Sequence, residues 1–132
     1  PGIATHKRED GSLTDIPHLG HVVISNDVRI SSNVVVSRGI LSDTFIGPNS
    51  VIGTGTVVGH NVVIGDNCFI GPNVTLNGSC IVESGVTIGA GSIVCNGVFI
   101  PSSSFVSAGS VVSRSYKNPV HLSGNPSRSI PF

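Results

Sequence analysis

Residues 46–65 read Ile46-Gly47-Pro48-Asn49-Ser50-Val51-Ile52-Gly53-Thr54-Gly55-Thr56-Val57-Val58-Gly59-His60-Asn61-Val62-Val63-Ile64-Gly65. An aliphatic side chain stands at every sixth position, Ile46, Ile52, Val58 and Ile64. The spacing runs on unbroken through Ile70, Leu76, Val82, Ile88, Val94, Ile100, Val106 and Val112. A helix of 3.6 residues per turn cannot keep every sixth residue on one face. An ordinary strand alternates with a period of two and has no reason to break every six. A repeat this short marks a solenoid, in which each unit covers the open edge of the one before it.

The other positions of the hexad explain how the chain turns. The residue after the aliphatic is often glycine, as at Gly47, Gly53, Gly59, Gly65, Gly71 and Gly89. The third residue after it is usually Asn or Gly, as at Asn49, Gly55, Asn61, Asn67, Asn73, Gly85, Gly91, Gly97 and Gly109. These residue types tolerate a left-handed backbone at least cost, so each hexad reads as a short strand followed by a tight corner. The fourth residue is small or apolar (Ser50, Val62, Cys68, Val74, Cys80, Val86, Val98) and is expected to face inward. Three hexads then close a triangular coil of eighteen residues. Its inward aliphatics form three ladders: Ile46, Ile64, Val82, Ile100; Ile52, Ile70, Ile88, Val106; and Val58, Leu76, Val94, Val112. The expected fold is all-β, a single-stranded triangular prism of about five coils held together by hydrogen bonds between coils.

Upstream, Ile24, Ile30 and Val36 head three further hexads, and the register then slips. Val36 to Ile46 is ten residues where two hexads would give twelve, around Ser37-Arg38-Gly39-Ile40-Leu41-Ser42-Asp43-Thr44. Residues 1–21 read as an irregular, polar lead-in, 22–113 as the repeat domain and 114–132 as a Pro-rich exit segment that caps the last open coil. The chain begins at Pro1 and contains no Met, the pattern expected of a processed chain or a piece of a longer protein.

Composition narrows the function classes. Seven basic residues balance seven acidic ones, so bulk charge argues for no nucleic-acid partner. Mean hydropathy is +0.34, yet no apolar run approaches the length of a membrane span and the polar N-terminus reads as no signal peptide. No membrane partner and a cytoplasmic location are the expectations. Cys68, Cys80 and Cys95 match no zinc or redox spacing and read as small buried hydrophobes.

The repeat over residues 22–113 resembles the hexapeptide-repeat acyltransferases, and the resemblance implies a left-handed parallel β-helix. Handedness comes from that likeness alone, since the usual preference for parallel crossovers is right-handed. The stretches Asp15-Ile16-Pro17-His18-Leu19-Gly20, Ser37–Thr44 and His60-Asn61-Val62 resemble the lipid A N-acyltransferases that act on UDP-linked glucosamine. The ending Gly124-Asn125-Pro126-Ser127-Arg128 resembles acetyltransferases acting on sialic acid or UDP-linked amino sugars.

Stacking at eighteen residues puts His60, Gly78, Asn96 and Arg114 on one corner ladder. Acyl transfer from a thioester needs a base near neutral proton affinity, and a histidine at His60 suits that task. It needs an N–H for the developing oxyanion, which Gly78 offers with no side chain in the way. It needs a track for the pantetheine arm, which Asn96 and Gly97 permit, and cations for coenzyme A phosphates, for which Arg114 and Arg128 are the candidates. The resemblance also places the catalytic histidine at His60 and a thioester-facing glycine amide at Gly78. It leaves the imidazole's partner open: related sialic-acid enzymes carry an acidic residue where Asn61 stands, and Asp43 is a second candidate. The reading is an acyltransferase, most simply an acetyltransferase, that uses acetyl-coenzyme A and no metal. It would act as a homotrimer on an amine or hydroxyl of a sugar or nucleotide-sugar. Two other readings share the fold. A zinc hydratase needs three histidines in close repeat positions, and the repeat holds only His60, with His6, His18, His21 and His121 outside it. A non-catalytic trimeric scaffold of a larger protein needs no site at all.

Overall fold

A computed structural model describes residues 4–132. Every regular element among them is a strand, and most strands are two residues long. Three faces build the prism. The first stacks Val22–Ile24, Thr44–Ile46, Val63–Ile64, Ile81–Val82 and Phe99–Ile100. The second stacks Arg29–Ile30, Val51–Ile52, Phe69–Ile70, Thr87–Ile88 and Phe105–Val106, and His121–Ser123 and Arg128–Ile130 extend it. The third stacks Val35–Val36, Val57–Val58, Thr75–Leu76, Ile93–Val94 and Val111–Val112. The result is a parallel β-helix of five coils, with His121–Ser123 opening a sixth on one face.

The three aliphatic ladders form as the spacing requires. Leu76 lies in register between Val58 and Val94, Val82 between Ile64 and Ile100, and Ile70 between Ile52 and Ile88. All twelve ladder residues from Ile46 to Val112 are fully buried, and so are the fourth-position residues Val62, Val74, Cys80 and Val86. Polar residues at that inward position are paired. Ser50 Oγ donates to the Gly65 carbonyl at 2.8 Å and accepts from the Cys68 N–H at 3.1 Å. Thr56 does the same between Gly71 and Val74. Each hydroxyl therefore bridges two coils, and its burial carries no unpaired group.

The corners take the left-handed conformation at every Asn and Gly named for it, including Asn61 at φ 61° and Gly97 at φ 72°. Ser79 and Ser103 adopt it too, at φ 63° and 61°, without the side chain that usually eases it.

Two readings of the sequence are corrected. The lead-in is not irregular throughout: Ala4–Lys7 and Leu13–Ile16 pair as an antiparallel hairpin around the charged turn. Pro1–Ile3 of that lead-in lie outside the described residues. The slip near residue 40 is an insertion, not a deletion. Val36 pairs with Val58, twenty-two residues on, whereas Val58 pairs with Leu76, eighteen on. One hexad interval has gained four residues, because Arg38–Asp43 replace the two corner residues that His60 and Asn61 supply one coil later. That places the only long loop of the repeat over the His60 corner.

Candidate active site

His60 sits at the corner between the third and first faces, half-buried. Its Nδ1 lies 3.1 Å from Asn61 Oδ1. An amide oxygen only accepts, so the contact requires Nδ1 to carry the proton, which leaves the Nε2 lone pair free. The Nε2 end lies across Gly78, one coil further on. A Cβ on Gly78 would land on Nε2, with Cε1 at 2.5 Å and Cδ2 at 2.8 Å. Only glycine leaves room for the ring in this place. The Gly78 carbonyl accepts from Gly97 N–H at 3.0 Å, and the Ser79 N–H donates to the His60 carbonyl at 2.8 Å, so the corner backbone is fixed from both sides. The Gly78 N–H itself donates to no group among the described residues. Prolines at the same corner position, Pro48 and Pro72, show that the scaffold asks nothing of that N–H.

Asn61 does more than turn the corner. Its Oδ1 also accepts from Ile40 N–H at 3.0 Å, its Nδ2 donates to the Ser42 carbonyl and hydroxyl at 2.8 Å each, and its N–H donates to Thr44 Oγ1 at 2.9 Å. One amide thus ties the inserted loop to the imidazole. Asp43 plays no part in this, because its carboxylate accepts from the His21 N–H at 2.8 Å and lies 3.5 Å from His21 Nδ1.

A groove of about 330 Å³ opens on this corner, lined by His18, Ser37, Val57, Gly59, His60, Leu76, Asn77, Gly78 and Asn96. No lining side chain bears a permanent charge, so the groove is neutral and hydrogen-bonding. Of the residues chosen from sequence, His60, Gly78 and Asn96 meet here. Gly97 stands beside them as the exposed turn residue of the next coil. Arg114 and Arg128 meet elsewhere, in a second pocket of about 550 Å³ that they line with Ser113, Pro126, Ser127 and Ser129. Arg114 lies over the Tyr116 ring at 5.2 Å and donates from Nε to the Tyr116 hydroxyl at 3.1 Å. It stands three coils along the corner ladder from His60, roughly 14 Å at about 4.8 Å per coil. Sequence reasoning missed His18, Ser37 and Asn77. Ser37 and Asn77 stand at the position after the ladder aliphatic, in register with Gly59, where the repeat already accounts for them, and His18 arrives from the lead-in, where no periodicity points to it.

The matches to known families cover the coils that carry this corner. Residues 43–78 match the bacterial transferase hexapeptide (six repeats), and residues 61–102 match the hexapeptide repeat of succinyl-transferase. Residues 43–102 of the chain thus carry the transferase hexapeptide repeat, and the prism is the left-handed parallel β-helix. Among curated relatives, UDP-3-O-acylglucosamine N-acyltransferase of Francisella tularensis subsp. holarctica is 49% identical over 45 residues, 34% of this chain and 13% of that protein. A perosamine N-acetyltransferase of Caulobacter crescentus, solved as a histidine-to-asparagine variant with CoA and GDP-perosamine, is 29% identical with a TM-score of 0.67. It covers 87% of this chain and 58% of its own. The Arabidopsis UDP-N-acetylglucosamine acyltransferase is 26% identical with a TM-score of 0.81, over 83% of this chain and 39% of its own. The chain therefore spans about an eighth of the curated relatives it matches, and 58% and 39% of these two solved proteins.

Proposed function

We propose that this chain transfers an acyl group, acetyl in the simplest case, from coenzyme A to an amine or hydroxyl of a nucleotide-linked sugar. The observation that carries the reading is the single imidazole whose Nδ1 is engaged by Asn61 and whose Nε2 faces a neutral groove across Gly78. In the proposed step the acceptor N–H or O–H enters the groove and Nε2 takes its proton as nitrogen or oxygen attacks the thioester carbonyl. The tetrahedral oxyanion forms beside the Gly78 N–H, the C–S bond breaks, and the leaving thiolate takes the proton back from the imidazolium. No covalent enzyme intermediate is needed. Asn96 and Gly97 line the path along the corner, and Arg114 and Arg128 would meet coenzyme A phosphates in the second pocket. The sugar and CoA specificity draws support from the Caulobacter protein, solved with CoA and GDP-perosamine, and from the UDP-3-O-acylglucosamine acyltransferases.

The assembly that fits is a homotrimer with the groove between neighbouring prisms. Both faces that flank the His60 corner present outward aliphatics. Val23, Val63 and Ile81 on one and Val35, Val57 and Ile93 on the other are each 36–52% exposed, a surface that a second copy would cover. Light scattering on a size-exclusion column reads this directly.

The test of the activity is thiol release from acetyl-coenzyme A with UDP-glucosamine or GDP-perosamine as acceptor. His60→Ala is expected to lose more than about 10²-fold in kcat while keeping its melting temperature. A near-normal rate in that variant rejects the general-base assignment. Absence both of thiol release and of any thermal shift with acetyl-coenzyme A rejects the acyltransferase reading in favour of a scaffold.

A further inference from the structure

His18 is not part of the repeat, yet it closes the groove. Its ring centroid is 6.2 Å from that of His60, with the planes tilted by 48°. The segment that carries it is fastened. Leu19 N–H donates to the Ile40 carbonyl at 2.7 Å, Gly20 N–H reaches the Gly39 and Ile40 carbonyls at 3.0 Å, and Arg38 Nε donates to the Gly20 carbonyl at 2.9 Å. Gly20 packs so closely on Gly39 and Ser42 that a Cβ would strike the Ser42 carbonyl. The inserted loop thus grips the lead-in and sets His18 opposite the imidazole. Both ring nitrogens of His18 are shielded from solvent and have no hydrogen-bond partner among the described residues. Buried polar atoms are satisfied in the great majority of cases, and an imidazole placed by so many backbone bonds yet left unpaired calls for a partner that is not in this chain.

We propose that His18 is an acceptor-binding residue: its imidazole hydrogen-bonds a hydroxyl or amino group of the sugar beside the atom that is acylated. The inference rests on the acyltransferase reading above and deepens it by naming a residue that selects the acceptor. The chemistry of the groove fixes the ligand class. With no charged lining residue, the part of the acceptor that enters is the uncharged, hydroxyl-rich ring, and the diphosphate and base remain outside. A small rotation of the His18 ring on acceptor entry presents one nitrogen to the sugar and removes the cost of leaving it unpaired. Donor binding gains nothing from this contact, because the coenzyme A track runs from Gly78 toward Arg114, away from the lead-in.

The test has two parts. The first needs no substrate. His18→Phe and His18→Leu remove both nitrogens, and because these serve no partner in the free protein, at least one variant is expected to melt at or above the wild-type temperature. A fall of about 5 °C or more in both would show that the ring serves the fold and would overturn the proposal. The second uses UDP-glucosamine and GDP-perosamine as probes. Long-range ¹H–¹⁵N correlations of the His18 ring are expected to shift on saturation with at least one probe and not with acetyl-coenzyme A alone. In steady state the better folded variant is expected to raise the acceptor KM about tenfold with kcat and the donor KM near wild type, and His18→Gln to recover part of it. Ring signals unmoved by both probes, or an acceptor KM left at the wild-type value, overturn the assignment. A wild-type chain that transfers acetyl to neither probe yet shifts its His18 signals would instead sink the activity and leave the sugar contact standing.

Discussion

Replacing Gly78 by alanine tests the core of the site with a single methyl group. Gly78 is buried beneath the His60 ring and has no positive φ, so its backbone accepts alanine without strain. The new Cβ would lie on Nε2 and 2.5 Å from Cε1, whereas ordinary contact begins at 3.4 Å. The ring must therefore retreat by roughly 1 Å, since the three atoms nearest the methyl all belong to the imidazole. That movement pulls Nδ1 away from Asn61 Oδ1, now 3.1 Å distant, beyond useful hydrogen-bond range. A displacement of this size at a catalytic group costs about 10² in rate. The added methyl in a packed corner costs about 1–3 kcal/mol in stability, well short of unfolding a prism with three complete aliphatic ladders. The assay is initial thiol release from acetyl-coenzyme A with the same two nucleotide sugars, alongside urea unfolding and the ring signals of His60. Loss of rate, a modest drop in stability and displaced His60 signals together are the expected result. A variant with wild-type rate and unmoved ring signals would refute the idea that Gly78 is there to seat the imidazole.

Other consequences are smaller in scope. Asn61→Ala removes the amide that holds the inserted loop and Nδ1 together; it is expected to cost about 2–3 kcal/mol in urea unfolding and to lower kcat about tenfold, whereas a residue that merely turned the corner would leave kcat unchanged. Burial pushes the Cys80 thiol up to about 12, from 9.0. Folding therefore favours the protonated thiol: its contribution is complete below pH 9 and is lost as pH rises toward 12, up to about 4 kcal/mol in all. Comparing wild type with Cys80→Ala by urea unfolding at pH 8 and pH 11 reads that slope, and equal slopes would show that the thiol is not sealed. Ser103→Asn relieves a left-handed backbone at an exposed corner and is expected to raise stability by roughly 0.5 kcal/mol; a fall in the urea midpoint would mean that the serine hydroxyl matters there.

Most of the fold was legible because the hexad repeats its constraints. Each aliphatic from Ile46 to Val112 meets the same surroundings one coil up and one coil down, so twelve agreeing positions outvote any local ambiguity. What was illegible lies where the repeat fails. The ten-residue interval from Val36 to Ile46 fits a two-residue deletion or a four-residue insertion equally well on spacing alone, and only the pairing of Val36 with Val58 decides it. The hairpin of Ala4–Lys7 with Leu13–Ile16 has weak alternation and an uncovered face, so polarity hid it. At the site, His60 and Gly78 were legible because stacking at eighteen residues brings them together. The partner of His60 was not, because Asn61 looked like a corner residue whose φ of 61° already accounted for it. One side chain answers two demands there, and the backbone demand masks the chemical one.

The departures from the hexad rule are not scattered. The four-residue insertion, the left-handed Ser79, the glycine that a ring lies across, and the imidazole with no partner all fall on or beside one corner, over three successive coils. Elsewhere the corners from Gly47 to Gly109 follow the rule with few exceptions. A solenoid gains its stability from neighbouring coils, so a long loop or an unpaired ring at one corner is tolerated as long as the ladders above and below it stay complete. Here they do: Val58, Leu76 and Val94 are fully buried beneath the irregular corner. Local rules broken together over an intact core are the pattern expected of a site rather than of drift. The same reasoning says where a change of acceptor would be made. Side chains in 37–43 and 17–20, Gly20 and Gly39 apart, can vary without touching a ladder residue, while His60, Asn61 and Gly78 cannot change without disturbing the His60 imidazole.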